Sequence, residues 1–203
     1  MVVYNGFTMD TAHRHLLIVD AARRQFYLQL IDSSAPSRSA TDALEMYFTL
    51  SGEALAHYLL RRRREALVLA RGPLPYLAGN KLTVGYISPL TGVPHYSFVG
   101  GRGAAELFHL GLDAVVFINP VGEGRPPYVV ISGRAPDIEV GFRPADELPQ
   151  GQRSAYYWLL ERECGGRRDG GSVFTLGEGA YHGYRTANLA VDAVYHAGRG
   201  GAC

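Results

Sequence analysis

Apolar and polar positions along this chain run through one succession and then repeat it. Leu16-Leu17-Ile18-Val19 is a short apolar run that reads as a strand, Asp20 to Arg24 as a turn, and Gln25 to Leu30 as a returning strand. Ile31 to Ala40, rich in Ser, Pro and Ala, is a predicted loop. From Gly52 to Arg64 the apolar residues recur at helical spacing, with Leu55, Tyr58, Leu59 and Arg62 on one side. Arg61 to Arg64 crowd the end of that helix, where cations suit the negative end of its dipole; the run is a solvated face or a docking patch for an acidic partner. A buried strand over Ala66 to Ala70 and a Gly72-Pro73 turn follow.

The second half reads the same way. Tyr128 to Ile131 is a strand, Gly133 to Pro136 a turn, Ile138 to Val140 the return. Gln152 to Glu163 forms an amphipathic helix burying Tyr156, Leu159 and Leu160, and Ser172 to Leu176 is a strand ending at Gly177. The pattern predicts an α+β fold: a duplicated β-rich unit with pseudo-twofold symmetry, one domain over residues 1–203, with pseudo-repeats of approximately 1–112 and 113–203. Between the halves, Leu82 to Tyr86 alternates like a half-buried strand, Ser88 to Gly92 is a turn, and Ala104 to Leu110 is a short helix stopped by Gly111. Asp113 to Ile118 is a core strand, and Asn119 to Pro127 a turn-rich connector.

Two loops change the picture from fold to chemistry. Gly100-Gly101-Arg102-Gly103 and Gly198-Arg199-Gly200-Gly201 are of one kind, and the second is followed only by Ala202 and Cys203. Such loops bring backbone N–H groups and a guanidinium to an anion, usually a phosphate; the alternative is that the glycines only permit close packing. A floor without walls or lid is expected to be half of a larger site.

Composition narrows the classes. Hydrophobic residues make up 47% of the 203 and charged residues 19%, enough for a real core. A net charge of +1 argues against general nucleic-acid binding. Lys81 is the only lysine among the basic residues. Cys164 and Cys203 can neither build a disulfide framework nor ligate a cubane iron–sulfur cluster, which takes four thiolates. The N-terminus lacks signal-peptide regions and no apolar run is long enough to span a bilayer, so a cytoplasmic protein is expected. No metal-ligating or catalytic set emerges. His13-Arg14-His15 has an arginine between its imidazoles, His182 and His196 flank a last predicted helix, and Gly165 to Gly171 reads as a flexible loop. Tyr156-Tyr157-Trp158 places aromatic rings on opposite helix faces, one for the core and one for a partner.

Gly72-Pro73-Leu74, Ser88-Pro89-Leu90-Thr91-Gly92, Ala105-Glu106-Leu107 and Gly111-Leu112-Asp113-Ala114, in this order, resemble the N-terminal domain of the aldehyde:ferredoxin oxidoreductase family. The tail, Gly177 to Asn188 and Asp192 through Ala197-Gly198-Arg199-Gly200-Gly201, resembles that domain's last segment, and the resemblance covers essentially the whole chain. It implies a platform for a tungsten- or molybdenum-bis-pterin, closed over by further domains that bring the cysteines of a 4Fe-4S cluster and the substrate cavity. This chain would hold neither cluster nor cavity. A second polypeptide, or a homodimer, would complete it, with ferredoxin reached indirectly and neither nucleic acid nor membrane involved.

Carried over position by position, the resemblance assigns cofactor contacts to Lys81, Gly100, Gly101, His196, Gly198, Arg199, Gly200 and Gly201. Lys81 stands for a family arginine, keeping the charge and losing the fork. Phe98 stands for an asparagine near a magnesium ion and has no oxygen to offer. Tyr195 stands for a basic residue, His196 for one that serves through its carbonyl, and Glu53 for an arginine of an early loop. Two readings follow: the platform piece of an oxidoreductase, or a non-catalytic relative kept as a metal-free binding or assembly module.

Overall fold

The computed structural model describes residues 3–4, 7–8, 13–32, 51–72, 81–119, 127–182, 184–185 and 187–198. Its elements, in chain order, open with a short pair, β1 (Val3–Tyr4) and β2 (Phe7–Thr8), and the hairpin β3 (His13–Asp20) and β4 (Gln25–Asp32). Then come α1 (Gly52–Arg62), β5 (Leu67–Arg71), β6 (Leu82–Ile87), β7 (Pro94–Val99), α2 (Gly103–His109) and β8 (Ala114–Ile118). The rest is the hairpin β9 (Tyr128–Arg134) and β10 (Asp137–Arg143), α3 (Gln152–Cys164), β11 (Phe174–Leu176), α4 (Glu178–Tyr181), β12 (Leu189–Val191) and β13 (Tyr195–Ala197). No helix among the described residues is long and apolar enough to cross a membrane. The predicted loop from residue 33, the connector over 120–126 and Arg199 to Gly201 lie outside the described residues.

A six-stranded sheet in the order β4-β3-β8-β5-β6-β7 is the centre of the α+β fold. β8 runs parallel to β3, with Val115 opposite Leu17, and every other neighbour is antiparallel. The order hairpin, helix, strand recurs along the chain. The first set joins the large sheet, while the second divides between the β9–β10 hairpin and the small sheet β11-β12-β13. β8, which follows the expected boundary between the halves, lies in the middle of the large sheet.

Period-two alternation sends neighbouring side chains to opposite faces. Leu16, Ile18, Val68, Ala70, Ala114 and Val116 pack with Leu55, Ala56, Leu59 and Leu60 of α1. Each of these leucines contributes about 1.5–3 kcal/mol by leaving water. Leu17, Val19, Leu69, Val115, Leu82, Val84 and Tyr86 meet the other layer, which brings Ala104 and Leu107 of α2, Ile138 of β10, and Leu189, Val191 and Ala197 of the tail. Cover on both faces buries β6 almost throughout, where its alternation predicts a half-buried strand. Thr83 and Gly85 go beneath α1; a Cβ on Gly85 would sit 2.9 Å from the Ala56 Cβ, so the helix lies close because the strand has no side chain there. Ser51 caps α1 by accepting the Ala54 N–H at 3.0 Å.

The arginine run at the end of α1 is engaged locally. Arg62 stacks 3.7 Å over Tyr58, Arg63 donates to the Tyr27 hydroxyl at 2.8 Å and Arg64 to the Gly92 carbonyl at 3.1 Å. α3 buries Tyr156, Leu159 and Leu160 as predicted, against Ala145, Leu148 and Val173. Trp158 meets Tyr128 edge-on at 5.9 Å, and the Tyr128 hydroxyl donates to Glu163 at 2.8 Å, which ties the helix to the β9–β10 hairpin.

One buried ionic group spans the large sheet. Asp113 accepts from Arg14 at 3.0 Å and from Arg71 at 2.9 Å, and its second oxygen takes the His15 backbone N–H at 3.0 Å. Arg71 also donates to the Leu112 and Gly72 carbonyls at 2.6 and 3.1 Å. Burial holds the Arg71 guanidinium below arginine's usual range, and the Asp113 charge pulls it back up. Asp113→Ala leaves two buried guanidiniums uncompensated and should cost about 3–5 kcal/mol, read as a fall in the urea midpoint.

Candidate functional site

The register of β6 with β7 assembles the first part of the site. Leu82 lies opposite Val99 and Thr83 opposite Phe98, so Lys81 and Gly100 come to the same end of this strand pair. The start of α1 is there too: a Cβ on Gly52 would meet the Thr83 hydroxyl at 2.8 Å. Glu53, Lys81 and Phe98, far apart in sequence, thus share one region, and all three are exposed. Their chemistry is a carboxylate, an ammonium and an apolar ring. That set has no surplus positive charge, and Phe98 gives a hard cation nothing to bind.

The Gly100–Gly103 loop comes next in the chain and turns into α2. Gly101 has φ of +91°, which only glycine adopts without strain. Its N–H-rich concave side already holds an anion, the carboxylate of Asp192. The Arg102 backbone N–H donates to that carboxylate at 2.8 Å, the Val173 N–H at 2.9 Å and the Ser172 hydroxyl at 3.0 Å. A Cβ on Gly101 would lie 2.5 Å from Asp192 Oδ2, and one on Gly100 would lie 2.5 Å from the Tyr195 ring. The space the glycines leave is therefore filled by the chain's own tail. The expectation that this loop offers its N–H groups to an external phosphate meets an internal occupant here. Arg102 itself turns to Glu106 at 2.6 Å and to the Asp169 carbonyl at 3.2 Å.

The tail follows from this anchor. β12 and β13 form a hairpin, with Val191 opposite Tyr195 and Ala190 opposite His196. Asp192 and Ala193 turn it with φ of +51° and +59°. Aspartate tolerates that conformation better than most residues, and it aims the carboxylate back at the first loop. β13 packs beside β7, and the Tyr86 hydroxyl donates to the Gly198 carbonyl. From Tyr195 at Gly100 to Gly198 at Tyr86, the tail runs along the β6–β7 pair. Lys81 and Tyr86, which holds Gly198, are five residues apart on the strand, roughly 16 Å. His196 is exposed, and a Cβ on Gly198 would meet nothing within 4 Å.

The expected contacts thus fall into three places. Gly100 and Gly101 lie under the tail, Lys81 lies beside them, and His196 and Gly198 lie along the tail's open edge. For an anionic pterin cofactor the open edge leaves His196 and Gly198 exposed, although the Gly198 carbonyl already accepts from Tyr86; the space of the first loop and one of its N–H groups are taken. Among the described residues no group of three or more His, Cys, Asp or Glu could hold a metal ion. Arg14, between its two histidines, serves the buried Asp113. Burial raises the Cys164 thiol above its ordinary range, away from the thiolate.

No motif in the sequence marks Asp192 as an anchor, and residues 165–171 read there as a flexible loop. That segment is a hydrogen-bonded turn, with Arg167 N–H donating to Cys164 O at 3.1 Å and Gly170 N–H to Arg167 O at 3.0 Å. It carries Arg168 toward Tyr157 and Arg153 of α3. The Arg153 guanidinium, by hydrogen bond and then by charge, holds the Tyr157 phenol below the usual tyrosine range, whereas burial pushes Tyr156 above it. A run of Tyr and Arg at helical spacing was the available signal.

Fold and site together define an α+β platform whose final hairpin folds back onto a glycine-rich loop. The model of the family described as aldehyde ferredoxin oxidoreductase, N-terminal domain, matches residues 45–203, and the chain belongs to that family. A comparison with curated proteins gives no match. Among solved structures, the active-site complex BamBC of benzoyl coenzyme A reductase with 1,5-dienoyl-CoA is similar, with a TM-score of 0.70 and 21% identity. The likeness covers 93% of this chain and 28% of that one, so this chain spans little more than a quarter of its structural relative.

Asp192→Ala should cost about 1–3 kcal/mol and loosen the tail first. Amide hydrogen exchange at Tyr195 to Ala197 should quicken more than at β8. In an ultraviolet titration Tyr157 should ionise before Tyr156, and Arg153→Ala should move Tyr157 back up.

Proposed function

We propose that this chain is the cofactor-platform part, a subunit or split piece, of a tungsten- or molybdenum-pterin oxidoreductase of the aldehyde:ferredoxin type. The single observation carrying the reading is the course of the tail. It returns along β6 and β7 and leaves His196 and Gly198 exposed on an open edge. The residues that would hold the cofactor are Lys81, the His196 carbonyl, and the loop of Gly198, Arg199, Gly200 and Gly201. Gly100 and Gly101 would act indirectly, by seating the tail. The cofactor, when bound, supplies oxidation of an aldehyde to the acid. This chain's own residues would bind and orient it.

The chain would act as one domain of two pseudo-repeats in the cytoplasm, with a second polypeptide bringing the cluster cysteines and the cavity and passing electrons to ferredoxin. A specific observation favours a second reading, a metal-free binding or assembly module. Asp192 and Tyr195 fill the first loop, and Glu53 and Phe98 replace the polar contacts the resemblance assigns.

Purification of the chain with whatever polypeptide accompanies it, followed by metal analysis and pterin fluorescence after oxidation, separates the two. Tungsten or molybdenum with pterin supports the platform; a folded complex that stays metal-free and pterin-free overturns it. Arg199→Ala should then weaken cofactor retention about tenfold or more, in keeping with one lost charge-assisted contact, with the thermal midpoint nearly unchanged.

A further inference from the structure

We propose that the cleft between the first glycine-rich loop and α3 binds a phosphate ester carried on a flat ring, of the nucleotide kind. The cleft has a volume of about 510 Å³, and its lining includes Gly101, Arg102, Arg153, Tyr157, Arg168 and Tyr195. Three guanidiniums face one carboxylate, and that carboxylate, Asp192, already accepts three hydrogen-bond donors. Arg102 is balanced by Glu106. Among the described residues no carboxylate pairs with Arg153 or Arg168; Arg153 lies over the Tyr157 ring at 5.9 Å, and Arg168 lines the same cleft. The surplus positive charge of this part of the molecule is therefore gathered in one concave place.

The charge is also held in position. Arg102 donates to the Asp169 carbonyl at 3.2 Å, and Arg167 grips the Asp169 carboxylate with two contacts of 3.1 Å, fixing the turn that carries Arg168. Arg153 projects from the first turn of α3. Guanidiniums so placed match phosphate oxygens in pairs. Beside them, Tyr157 and Tyr195 are 42% and 43% exposed, rings on which a base can stack. The lowered ionisation range of Tyr157 reports the same positive field. Its charged groups, Arg102, Arg153 and Arg168, are not cofactor contacts in the platform reading, while Gly101 and Tyr195 of its lining stand at positions the resemblance assigns to the cofactor.

The test is calorimetric titration of the full metal-free chain with ADP, pyrophosphate, adenosine and a pterin phosphate at about 0.15 M salt. ADP should bind most tightly, with pyrophosphate and adenosine each roughly tenfold weaker. The double variant Arg153→Ala/Arg168→Ala, at two exposed positions, should keep its thermal midpoint and lose at least about tenfold in ADP affinity. No ADP binding at millimolar concentration, or equal binding by the variant, overturns the site. Pyrophosphate as tight as ADP overturns the ring contact, and a pterin phosphate that displaces ADP overturns the nucleotide assignment. Because the chain is metal-free throughout, a negative metal analysis leaves this result untouched.

Discussion

The hydrogen-bonded carboxylate of Asp192 is the constraint on which the site depends. It joins three segments distant in sequence: the Gly100–Arg102 loop, the Ser172–Val173 entry to β11 and the turn of the tail hairpin. Together with the β11–β12–β13 pairing it holds Leu189, Val191 and Ala197 against the second face of the sheet, where each is buried. The left-handed backbone at Asp192 and Ala193 costs on the order of 1 kcal/mol per residue, which the charge-assisted bonds to backbone N–H groups offset. An ionised side chain thus does inside the fold what a bound phosphate would do from outside.

That substitution shifts where external anions can go. Lys81 and Glu53 are both exposed near the end of β6 and β7, while Asp113 engages Arg14 and Arg71 deep in the sheet. The arginines after α1 are occupied by Tyr58, Tyr27 and Gly92. Arg153 and Arg168 lie beside the Tyr157 ring with no carboxylate paired to them among the described residues. A nearly neutral protein can still concentrate field locally when its acids are committed elsewhere, and here the commitment of Asp192 and Glu106 leaves the cleft net positive.

Long periodic segments were legible from the sequence. Leu16 to Val19, the helix from Gly52 and the helix from Gln152 stand where apolar spacing predicts them. β7, β12 and β13 were not, because β7 begins with proline and mixes His, Tyr and Ser, and the other two are three residues each. Such strands exist by pairing and by packing under a neighbour, and neither is encoded within a three-residue window. β6 shows the converse: Thr83 and Gly85 look like a solvent face, yet α1 covers them.

The glycine-rich loops carry the sharper lesson. Gly100-Gly101-Arg102-Gly103 has the composition of an anion cradle, and an anion cradle is what it is; the sequence leaves open whose anion fills it. The deciding residue lies 90 positions away, in a turn whose fold brings it back to the loop. A motif of backbone donors specifies a charge and a radius of approach, and tertiary structure chooses the donor's partner. The second loop of the pair differs in one respect that bears on function. Gly198 opens onto empty space where Gly100 is pressed beneath a ring, so the same composition yields a latch at one end of β6 and an accessible edge at the other.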